Sequence, residues 1–542
     1  MNPTKTLCLS ALAILTLAGC GTSRQVSNTT ATFTAISAPL NIKKNKPLAE
    51  KDLKRWSHLD IIKDTVPGMS VDRAYAELLK DKKSVKVIVG IVDSGVDIGH
   101  DDLKSVIWTN EKEIAGNGID DDKNGFIDDI HGWNFIGTIS KEHYEADRIL
   151  KNKSLVDEAT YQLAKTDYDK KTEENTKGKE RFSIMLKTLN ENDSILAKHI
   201  GKPVYTIEEL KAIASSAPEI QKSKALIEPI FFNGSSVAEQ KEGIQEQLNE
   251  YEEFLNGNNA KIDYRKVLGD NPEDITDTKY GDNNVTGDIS GSLHGTHVAG
   301  IVAQIRNNKL GGDGIADNVE IMSVRAVPMG DEYDKDVALG IRYAVDNGAK
   351  VINASFGKSF SPHKQWVYDA IKYAESKDVL IVHASGNEGK DVDIAIKYPT
   401  DSDDQLTEFA DNLINIGALN IDYGPKIVAR FSNYGKINVD LFAPGVKIYA
   451  TTPENTYKFL QGTSMAAPNV AGVAALIRSY YPQLSAQEVK HILIDSGVTI
   501  TANVIVGGKT SDIRPFSELS KSGKIANAYN ALLLAEKMSK KK

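Results

Sequence analysis

Two residues with complementary chemistry stand at glycine-marked helix starts. Ser464 follows Gly462 and Thr463 and opens an apolar stretch rich in alanine and valine. A small-residue turn that feeds a helix exposes the hydroxyl at the helix N-terminus, where peptide dipoles favour developing negative charge. His294 begins a second glycine-punctuated helix, and a neutral imidazole is the natural base for a serine hydroxyl near pH 7. With a carboxylate to orient the imidazole, these groups predict an acyl-transfer centre.

Two aspartates compete to orient this histidine. Asp93 directly ends a short, β-branched apolar run that starts at Val85, and Asp97 lies four residues further on in the turn. We favour Asp93 because it terminates the predicted strand. A carboxylate there would hold the imidazole in the right tautomer and stabilise its cationic form.

A second histidine near His294 allows a different interpretation, a pair of metal ligands. His297 follows three residues later. However, no further cluster of cysteine or histidine stands nearby in the sequence, and no glutamate follows in a zinc-protease pattern. The sequence therefore gives little support to a zinc site.

The segments 92–97, 294–300 and 462–475 together resemble the three signature blocks of the subtilases. Their order along the chain, Asp, His, Ser, is the order of subtilisin and differs from that of chymotrypsin and the α/β-hydrolases. The resemblance covers roughly residues 55–136 and 275–500. It implies a serine endopeptidase that hydrolyses peptide or protein substrates through an acyl-enzyme.

The resemblance also implies an oxyanion donor and a substrate-binding surface. The segment 384–389 is similar to the one in which this family places its oxyanion-stabilising asparagine, so Asn387 takes that role beside the backbone N–H of Ser464. Small, apolar walls predict an uncharged substrate side chain in the primary specificity pocket. The residues carried over onto the substrate-binding strand and the facing wall are Ser355, Phe356, Gly357, Ala384, Ser385 and Gly386.

Two other functions remain open on the sequence. A catalytically silent peptide-binding protein could retain the fold, but it would have little reason to keep all four chemical groups in good context. A transpeptidase or ligase using the same acyl-enzyme would differ in the acceptor and not in the triad.

Short apolar runs must position these groups, and several alternate with helical patterns. This alternation predicts an α/β fold, a subtilisin-like and mainly parallel sheet flanked by helices, with ligands beyond the carboxyl ends of the strands. Besides the run that ends at Asp93, we predict strands at residues 320–326, 349–355, 379–384, 413–418 and 446–450.

Residues 141–270 differ from their surroundings, because charges of both signs are dense there. Thr206 and Glu209 form a plausible capping box. We predict an inserted α-helical subdomain, which accounts for most of the 201 residues that separate Asp93 from His294. Its charged faces are interpreted as solvated, and a docking surface for substrate or partner is the alternative. Apolar residues at helical spacing are Phe182, Met185, Leu186 and Leu189, then Ile244, Leu248, Tyr251 and Leu255.

An acidic run at residues 120–129 carries oxygen ligands at alternating positions around a glycine. Hard oxygen ligands at this spacing suit calcium. The run matches the first half of an EF-hand loop but has His131 where the bidentate glutamate belongs. We predict a structural calcium ion held in another geometry, with a solvated acidic turn as the alternative. The predicted ligands are Asp120, Asp122, Asn124 and Asp128.

The first twenty residues have the pattern of an export signal, with Lys5 before an apolar run that is too short to span a membrane comfortably. Residues 17–20 resemble the lipobox of bacterial lipoproteins. Cleavage before Cys20 would leave this cysteine lipid-modified and attach the protein to a membrane of the bacterial cell envelope. An ordinary secretory signal is the alternative. Because Cys8 lies within the signal, the mature chain would keep no thiol for a disulfide.

The composition excludes several classes of protein. Hydrophobic residues make up 41% and charged residues 26% of 542, which argues against a disordered or fibrous chain. The net charge of −9 without a basic stripe argues against nucleic acid as a partner. The predicted organisation is a signal at 1–19, a tether at 20–54, the catalytic domain at 55–140 and 271–500, the helical insertion at 141–270, and a C-terminal extension with a helix at 501–542.

Overall fold

A computed structural model of the chain describes residues 37–38, 48–232, 236–256 and 263–542. The predicted signal, Cys20 and most of the predicted tether lie outside these residues. The described residues all belong to one compact unit of the chain, residues 35–542.

The α-helices fall into a group between residues 145 and 255 and a group after residue 293, besides two short ones near the start. They are α1 Glu50–Leu53, α2 Val71–Ala74, α3 Glu145–Lys151, α4 Glu158–Ile200, α5 Ile207–Lys211, α6 Pro218–Phe232, α7 Val237–Leu255, α8 Leu293–Ala303, α9 Asp334–Asp346, α10 Lys364–Ser376, α11 Thr463–Tyr480, α12 Ala486–Ser496 and α13 Ala528–Ser539.

The strands are short, and most of them lie in the second half of the chain. They are β1 Ser37–Ala38, β2 Val87–Asp93, β3 Gly132–Asn134, β4 Val319–Arg325, β5 Val351–Ala354, β6 Leu380–Ala384, β7 Leu413–Leu419, β8 Leu441–Pro444, β9 Ile448–Thr452, β10 Thr456–Leu460, β11 Val498–Ile500, β12 Asn503–Val506, β13 Lys509–Pro515 and β14 Lys524–Ile525.

Within the described ranges, one sheet of ten strands has the order β1-β11-β14-β8-β7-β6-β5-β2-β4-β3. The neighbours from β8 to β3 all pair in parallel, and β11 with β14 is the antiparallel exception in this sheet. Buried side chains fill β2 and β5 to β8, as expected for a parallel sheet covered on both faces. The predicted α/β class with a mainly parallel sheet is confirmed.

Four of the five further strand predictions are confirmed as β4, β5, β6 and β7. The prediction at 446–450 is wrong about the sheet, since Ile448–Thr452 pairs antiparallel with β10 in a separate two-stranded sheet. The strand that pairs with β7 in the main sheet is β8, which ends four residues before the start of β9. Pro444 and Gly445 explain the difference, because they divide one apolar stretch into two strands that belong to different sheets.

Helix α11 crosses the sheet and contacts β2, β5, β6, β7 and β8. All of its residues except Ser464 and Tyr480 are buried. Close approach is possible because its residues are small: a Cβ on Gly472 would lie 2.5 Å from Ile315. The start of α11 is therefore held against the carboxyl ends of β5 and β6.

Helices α3 to α7 form the block between residues 145 and 255, and α4 alone has 43 residues. The predicted capping box at the start of α5 is present, with both reciprocal hydrogen bonds between Thr206 and Glu209. Met185, which the helical spacing assigned to the apolar face, is 43% exposed. The block has an apolar core of its own, which includes Leu189, Leu196, Leu210, Ile227, Ile244 and Leu248.

Buried ion pairs lie at the start of the helical block and in the segment 263–270 that follows it. At its start, Glu145 accepts hydrogen bonds from Arg148 and Lys358, each at 2.6 Å. Burial raises the pKa of Glu145, but these two cations outweigh it and lower the pKa to about 2. Beyond its end, Arg265 pairs with Asp336 at 2.6 Å and with Asp270 at 2.8 Å. Because removing one partner of a buried pair costs about 3–5 kcal/mol, the pair of Glu145 and Lys358 fixes the start of the block in place.

None of the helices in the described part of the chain combines the length and the apolar composition that crossing a membrane requires.

Candidate active site

Asp93 is the last residue of β2, and its side chain is almost fully buried. Its Oδ1 lies 2.7 Å from Nδ1 of His294 and accepts a hydrogen bond from the N–H of Ser94 at 2.8 Å. Its Oδ2 is buried and has no hydrogen-bond partner among the described residues. The carboxylate is thus a desolvated group with one charged partner within reach, the imidazole of His294.

His294 is the second residue of α8, and its side chain is 37% exposed. Because Nδ1 faces Asp93, Nε2 is the ring nitrogen that remains for a ligand in the cleft. Burial of the ring lowers its pKa, but the charge of Asp93 and their hydrogen bond outweigh this, so the pKa of His294 is raised above 6.5. The neutral ring can therefore accept a proton at Nε2 and be stabilised as the cation.

The competing aspartate, Asp97, has other partners. Its Oδ1 accepts from the N–H of Gly99 at 3.1 Å and its Oδ2 accepts from the N–H of Glu454 at 3.0 Å. Asp97 thus stabilises the turn after β2. The geometry assigns the contact with His294 to Asp93.

Ser464 is the second residue of α11 and lines the same cleft as His294. Its hydroxyl donates to the carbonyl oxygen of Ser355 at 3.1 Å, and the hydroxyl of Ser355 donates to the carbonyl of Ser464 at 2.9 Å. In the described part of the chain no hydrogen bond joins Ser464 to His294. A serine hydroxyl turns about a single side-chain torsion, so a change of rotamer redirects Oγ without moving the helix.

Asn387 lies in the loop that follows β6 and is exposed to the cleft. Its Oδ1 accepts hydrogen bonds from the N–H of Thr463 at 2.8 Å and from the Thr463 hydroxyl at 3.0 Å. Because the oxygen of the amide is held in this way, its Nδ2 is the end available to a ligand. An N–H donor fixed next to the start of α11 can stabilise an anion that develops beside Ser464.

The six predicted substrate-binding residues line one cleft of about 600 Å³ together with Asp93, His294, Ser464 and Asn387. Residues 355–357 follow β5, and residues 384–386 lie at the end of β6 and directly after it. In the sheet, β5 lies between β6 and β2. Since the carboxyl ends of parallel strands meet at one edge, the residues at 355–357 and 384–386 come together there with Asp93.

The wall of this cleft carries a charge pair that the sequence patterns did not indicate. Nζ of Lys397 lies 2.6 Å from Oε1 of Glu388, and Oε2 of Glu388 accepts from Asn433 at 2.6 Å. A Cβ on Gly386 would lie 3.2 Å from Cε of Lys397, so the lysine stands against the small-residue wall. The cleft therefore carries charged side chains beside the small residues that were predicted to wall it. Lys397 belongs to no motif and could not be found by spacing.

His383, one residue before Ala384, is another cleft residue that sequence reasoning missed. Its Nε2 lies 2.9 Å from the carbonyl oxygen of Phe356, and its Nδ1 lies 3.2 Å from Oδ1 of Asn415. Burial lowers its pKa to about 4. The ring is therefore neutral near pH 7 and connects the ends of β5, β6 and β7.

The predicted calcium ligands are only partly brought together. Ligand oxygens of Asp120 and Asp122 lie within 4.8 Å of each other and of Glu113, which sequence reasoning missed. Asp128 instead accepts hydrogen bonds from the N–H groups of residues 116, 117 and 118. Oδ1 of Asn124 accepts from the N–H of Phe126 at 2.8 Å. Asp120 and Asp122 with Glu113 thus form the set of oxygens that fits a cation, and Glu113 precedes the acidic run that suggested the site.

The fold and this site define a class of protein, an α/β protein with an aspartate–histidine pair and a serine at the carboxyl edge of its parallel sheet. Comparison with known families makes the class specific, because residues 84–508 match the model of Peptidase_S8, the subtilase family. The chain belongs to the subtilase family, and the resemblance noted in the sequence is confirmed.

Relatives of the chain are proteases by name. The thermophilic serine proteinase of Bacillus sp. (strain AK1) is 39% identical over 241 residues, which cover 44% of this chain and 52% of the relative. Subtilisin DY of Bacillus licheniformis is 37% identical over 214 residues, or 39% of this chain and 72% of the relative. A solved protease structure from Pseudoalteromonas arctica has a TM-score of 0.37 and 30% identity over 45% of this chain and 70% of that one. The chain thus spans about half the length of the first of these relatives.

The raised pKa of His294 yields a first prediction. In Asp93→Asn the negative charge is lost while burial remains, so the pKa of His294 should fall below 6.5. Titration of the imidazole signals by NMR in both proteins measures the change. His491, whose pKa is raised by its own partner Asp411, serves as the control and should titrate alike in both. An unchanged titration of His294 would mean that Asp93 does not set its pKa.

Proposed function

We propose that the protein is a serine endopeptidase that hydrolyses peptide bonds through an acyl-enzyme. The observation that carries the proposal is the 2.7 Å contact between Asp93 and His294 in a cleft that Ser464 and Asn387 also line. Membership of the subtilase family supports the same reaction.

In the first half of the reaction, Oγ of Ser464 attacks the carbonyl carbon of the scissile bond, and Nε2 of His294 takes the hydroxyl proton. Asp93 stabilises the imidazolium that results. The carbonyl oxygen becomes an anion, and it accepts hydrogen bonds from Nδ2 of Asn387 and from the N–H of Ser464. These contacts strengthen as charge develops, which lowers the barrier rather than only tightening substrate binding.

In the second half, His294 returns the proton to the departing amine, and the C-terminal part of the substrate leaves. A water molecule then attacks the ester carbonyl of acylated Ser464 while His294 removes its proton. Collapse of the second tetrahedral intermediate frees the N-terminal part of the substrate and restores the serine hydroxyl.

The substrate binds as an extended peptide along residues 355–357, which continue from β5. Its side chain before the scissile bond enters the space between these residues and the wall at 384–386. Lys397 and Glu388 place a donor and an acceptor near the Gly386 wall, so the pocket offers polar as well as apolar contacts.

Replacement of the nucleophile tests this proposal. Ser464→Ala should abolish peptide hydrolysis and labelling by a fluorophosphonate, and alanine at a helix start should leave the fold intact. Product masses from a mixed protein digest measure the activity, with an added amine to detect transfer instead of hydrolysis. The exposed Ser376→Ala is the matched control and should keep both activities. Persistent labelling of Ser464→Ala, or amine adducts as the main product, would contradict the proposal.

We also propose that a structural calcium ion binds at Glu113, Asp120 and Asp122, the carboxylates whose oxygens lie within 4.8 Å of one another. Carboxylate oxygens are the ligands that calcium prefers, and like charges this close gain from a cation between them. Asn124 and Asp128 of the predicted set would support the loop through their hydrogen bonds to backbone N–H groups.

Calcium at this loop should raise the melting temperature by mass action, since the unfolded chain cannot hold the ligands together. At a calcium concentration 100 times Kd, the gain is about 2.7 kcal/mol. Thermal melts in chelator and in millimolar calcium measure it, and Asp120→Asn/Asp122→Asn should lose the difference. Identical melting curves of the unaltered protein in both conditions would leave the loop as an acidic turn.

For location, we propose that Cys20 carries a lipid that attaches the protein to a bacterial envelope membrane after export. The support is the lipobox-like sequence at 17–20 behind an apolar run. A fatty-acid analogue fed to expressing cells should label the unaltered protein and not Cys20→Ser, and Cys8→Ser should retain the label. Equal labelling of unaltered protein and Cys20→Ser would disprove the assignment.

A further inference from the structure

We propose that the helical block contributes a second substrate-binding surface, a cavity that receives the polypeptide segment preceding the scissile bond. This inference rests on the proposed endopeptidase function and specifies how that function selects its substrates. We define the block cavity as the space of about 640 Å³ between α3, α4, α7 and the loops at 141–144 and 329–330.

The block cavity adjoins the catalytic cleft. Lys141, Met329 and Gly330 line both of them. Met329 is 62% exposed at this junction. A chain that extends along the cleft past Met329 therefore reaches the rim of the block cavity.

The junction is built as a fixed surface. Residues 140–142 pair with Met329, since Glu142 N–H donates to the Met329 carbonyl at 2.7 Å and Met329 N–H donates to the Ser140 carbonyl at 2.9 Å. Arg148 of α3 donates to the carbonyl of Asp331 at 3.0 Å. The buried pair of Glu145 and Lys358 fixes α3 to the residue that follows the substrate-binding segment 355–357. A preformed surface costs less ordering entropy when a peptide binds.

Aromatic side chains give the block cavity its chemistry. The ring of Phe254 lies 6.0 Å from that of Tyr144 and 5.9 Å from that of Tyr168, measured between centroids. Tyr251 and Tyr264 line the same space. Such rings offer large apolar faces with polar tips, so the fitting occupant is a peptide segment with an aromatic or large aliphatic side chain.

Several charges at this cavity are paired within the protein. Lys141 donates to both carboxylate oxygens of Glu253, at 2.8 and 2.9 Å. Lys171 lies 3.0 Å from Asp167 and over the ring of Tyr144. These pairs reduce the need for a charged ligand, which favours selection by apolar contact over selection by charge.

The direction of the substrate follows from the position of the pocket walls. The walls at 355–357 and 384–386, which hold the side chain before the scissile bond, belong to the cleft that continues to Met329. A second space of about 440 Å³, lined by Lys447, Phe459 and Gln461, borders the cleft at Ser464 and His294. The departing half of the substrate occupies that space. The half before the scissile bond therefore extends toward the block cavity.

The test compares peptides of different length with one chromogenic leaving group. Four residues in extended form span about 13 Å and remain in the cleft, whereas ten residues span about 33 Å. The ten-residue peptides differ at the fifth to eighth positions before the scissile bond. Each of these positions is tested in turn with phenylalanine and with serine. At one or two of these positions, phenylalanine should raise kcat/KM about 10- to 100-fold over the tetrapeptide, mainly through KM.

Two variants locate the effect. In Phe254→Ser the ratio of kcat/KM between the extended peptide and the tetrapeptide should fall toward one. In Ile184→Ser, which makes a similar change at a 67% exposed position of α4, the ratio should remain as in the unaltered protein. Circular dichroism and a thermal melt accompany both variants. Equal ratios in Phe254→Ser and the unaltered protein would overturn the inference.

A cross-linking measurement keeps the test decisive if Phe254→Ser does not fold. The extended peptide with benzoylphenylalanine at the favoured position is irradiated on Ser464→Ala, and mass spectrometry maps the adducts. Adducts on α4, α7 or residues 141–144 support the inference, and adducts elsewhere overturn it. If the unaltered protein does not hydrolyse the tetrapeptide, the proposed function is refuted. If it hydrolyses the tetrapeptide but the longer peptides have no higher kcat/KM, this inference alone is refuted.

Discussion

The packing of α11 across the parallel sheet is the constraint on which the site depends. The helix contacts five neighbouring strands and is buried along almost its whole length, so its first turn cannot shift relative to the strand ends. Asp93, Ser355 and the loop of Asn387 extend from three of those strands, and α8 with His294 packs on α11. Protein interiors are close-packed, so this packing fixes the backbone positions from which the side chains of the site extend.

Buried charges play a different part, because they connect the helical block to this rigid centre. Glu145, Arg148 and Lys358 form one network, and Arg265 with Asp270 and Asp336 forms the other. Such pairs contribute little net stability compared with apolar residues of similar size, yet breaking one leaves an uncompensated buried charge. They therefore specify position. The long α4 and its neighbours have their own apolar core, and the network at Glu145 joins the start of the block to Lys358, which follows the segment 355–357.

The two histidines of the cleft differ in pKa because their surroundings differ. Asp93 raises the pKa of His294, whereas burial lowers that of His383 to about 4, although both imidazoles lie at one sheet edge. The cationic form of His294 is therefore favoured by its partner, and His383 stays neutral near pH 7 as a connector between strands. Lys397 and Glu388 neutralise each other beside Gly386, so the pocket is polar without a large net charge.

The α/β class, four of the five further strands and the placement of Asp93, His294 and Ser464 could be predicted from local patterns in the sequence: an apolar run, a glycine turn or a helix start. The role of Asn387 rests on the resemblance to the subtilases and not on its local pattern. Other features required the tertiary structure. Pro444 and Gly445 assign neighbouring strands to different sheets, Glu113 approaches Asp120 and Asp122 from outside the acidic run, and Lys397 reaches the Gly386 wall from a separate loop. These contacts join residues whose proximity no spacing encodes, since only the packing of sheet and helices brings them together.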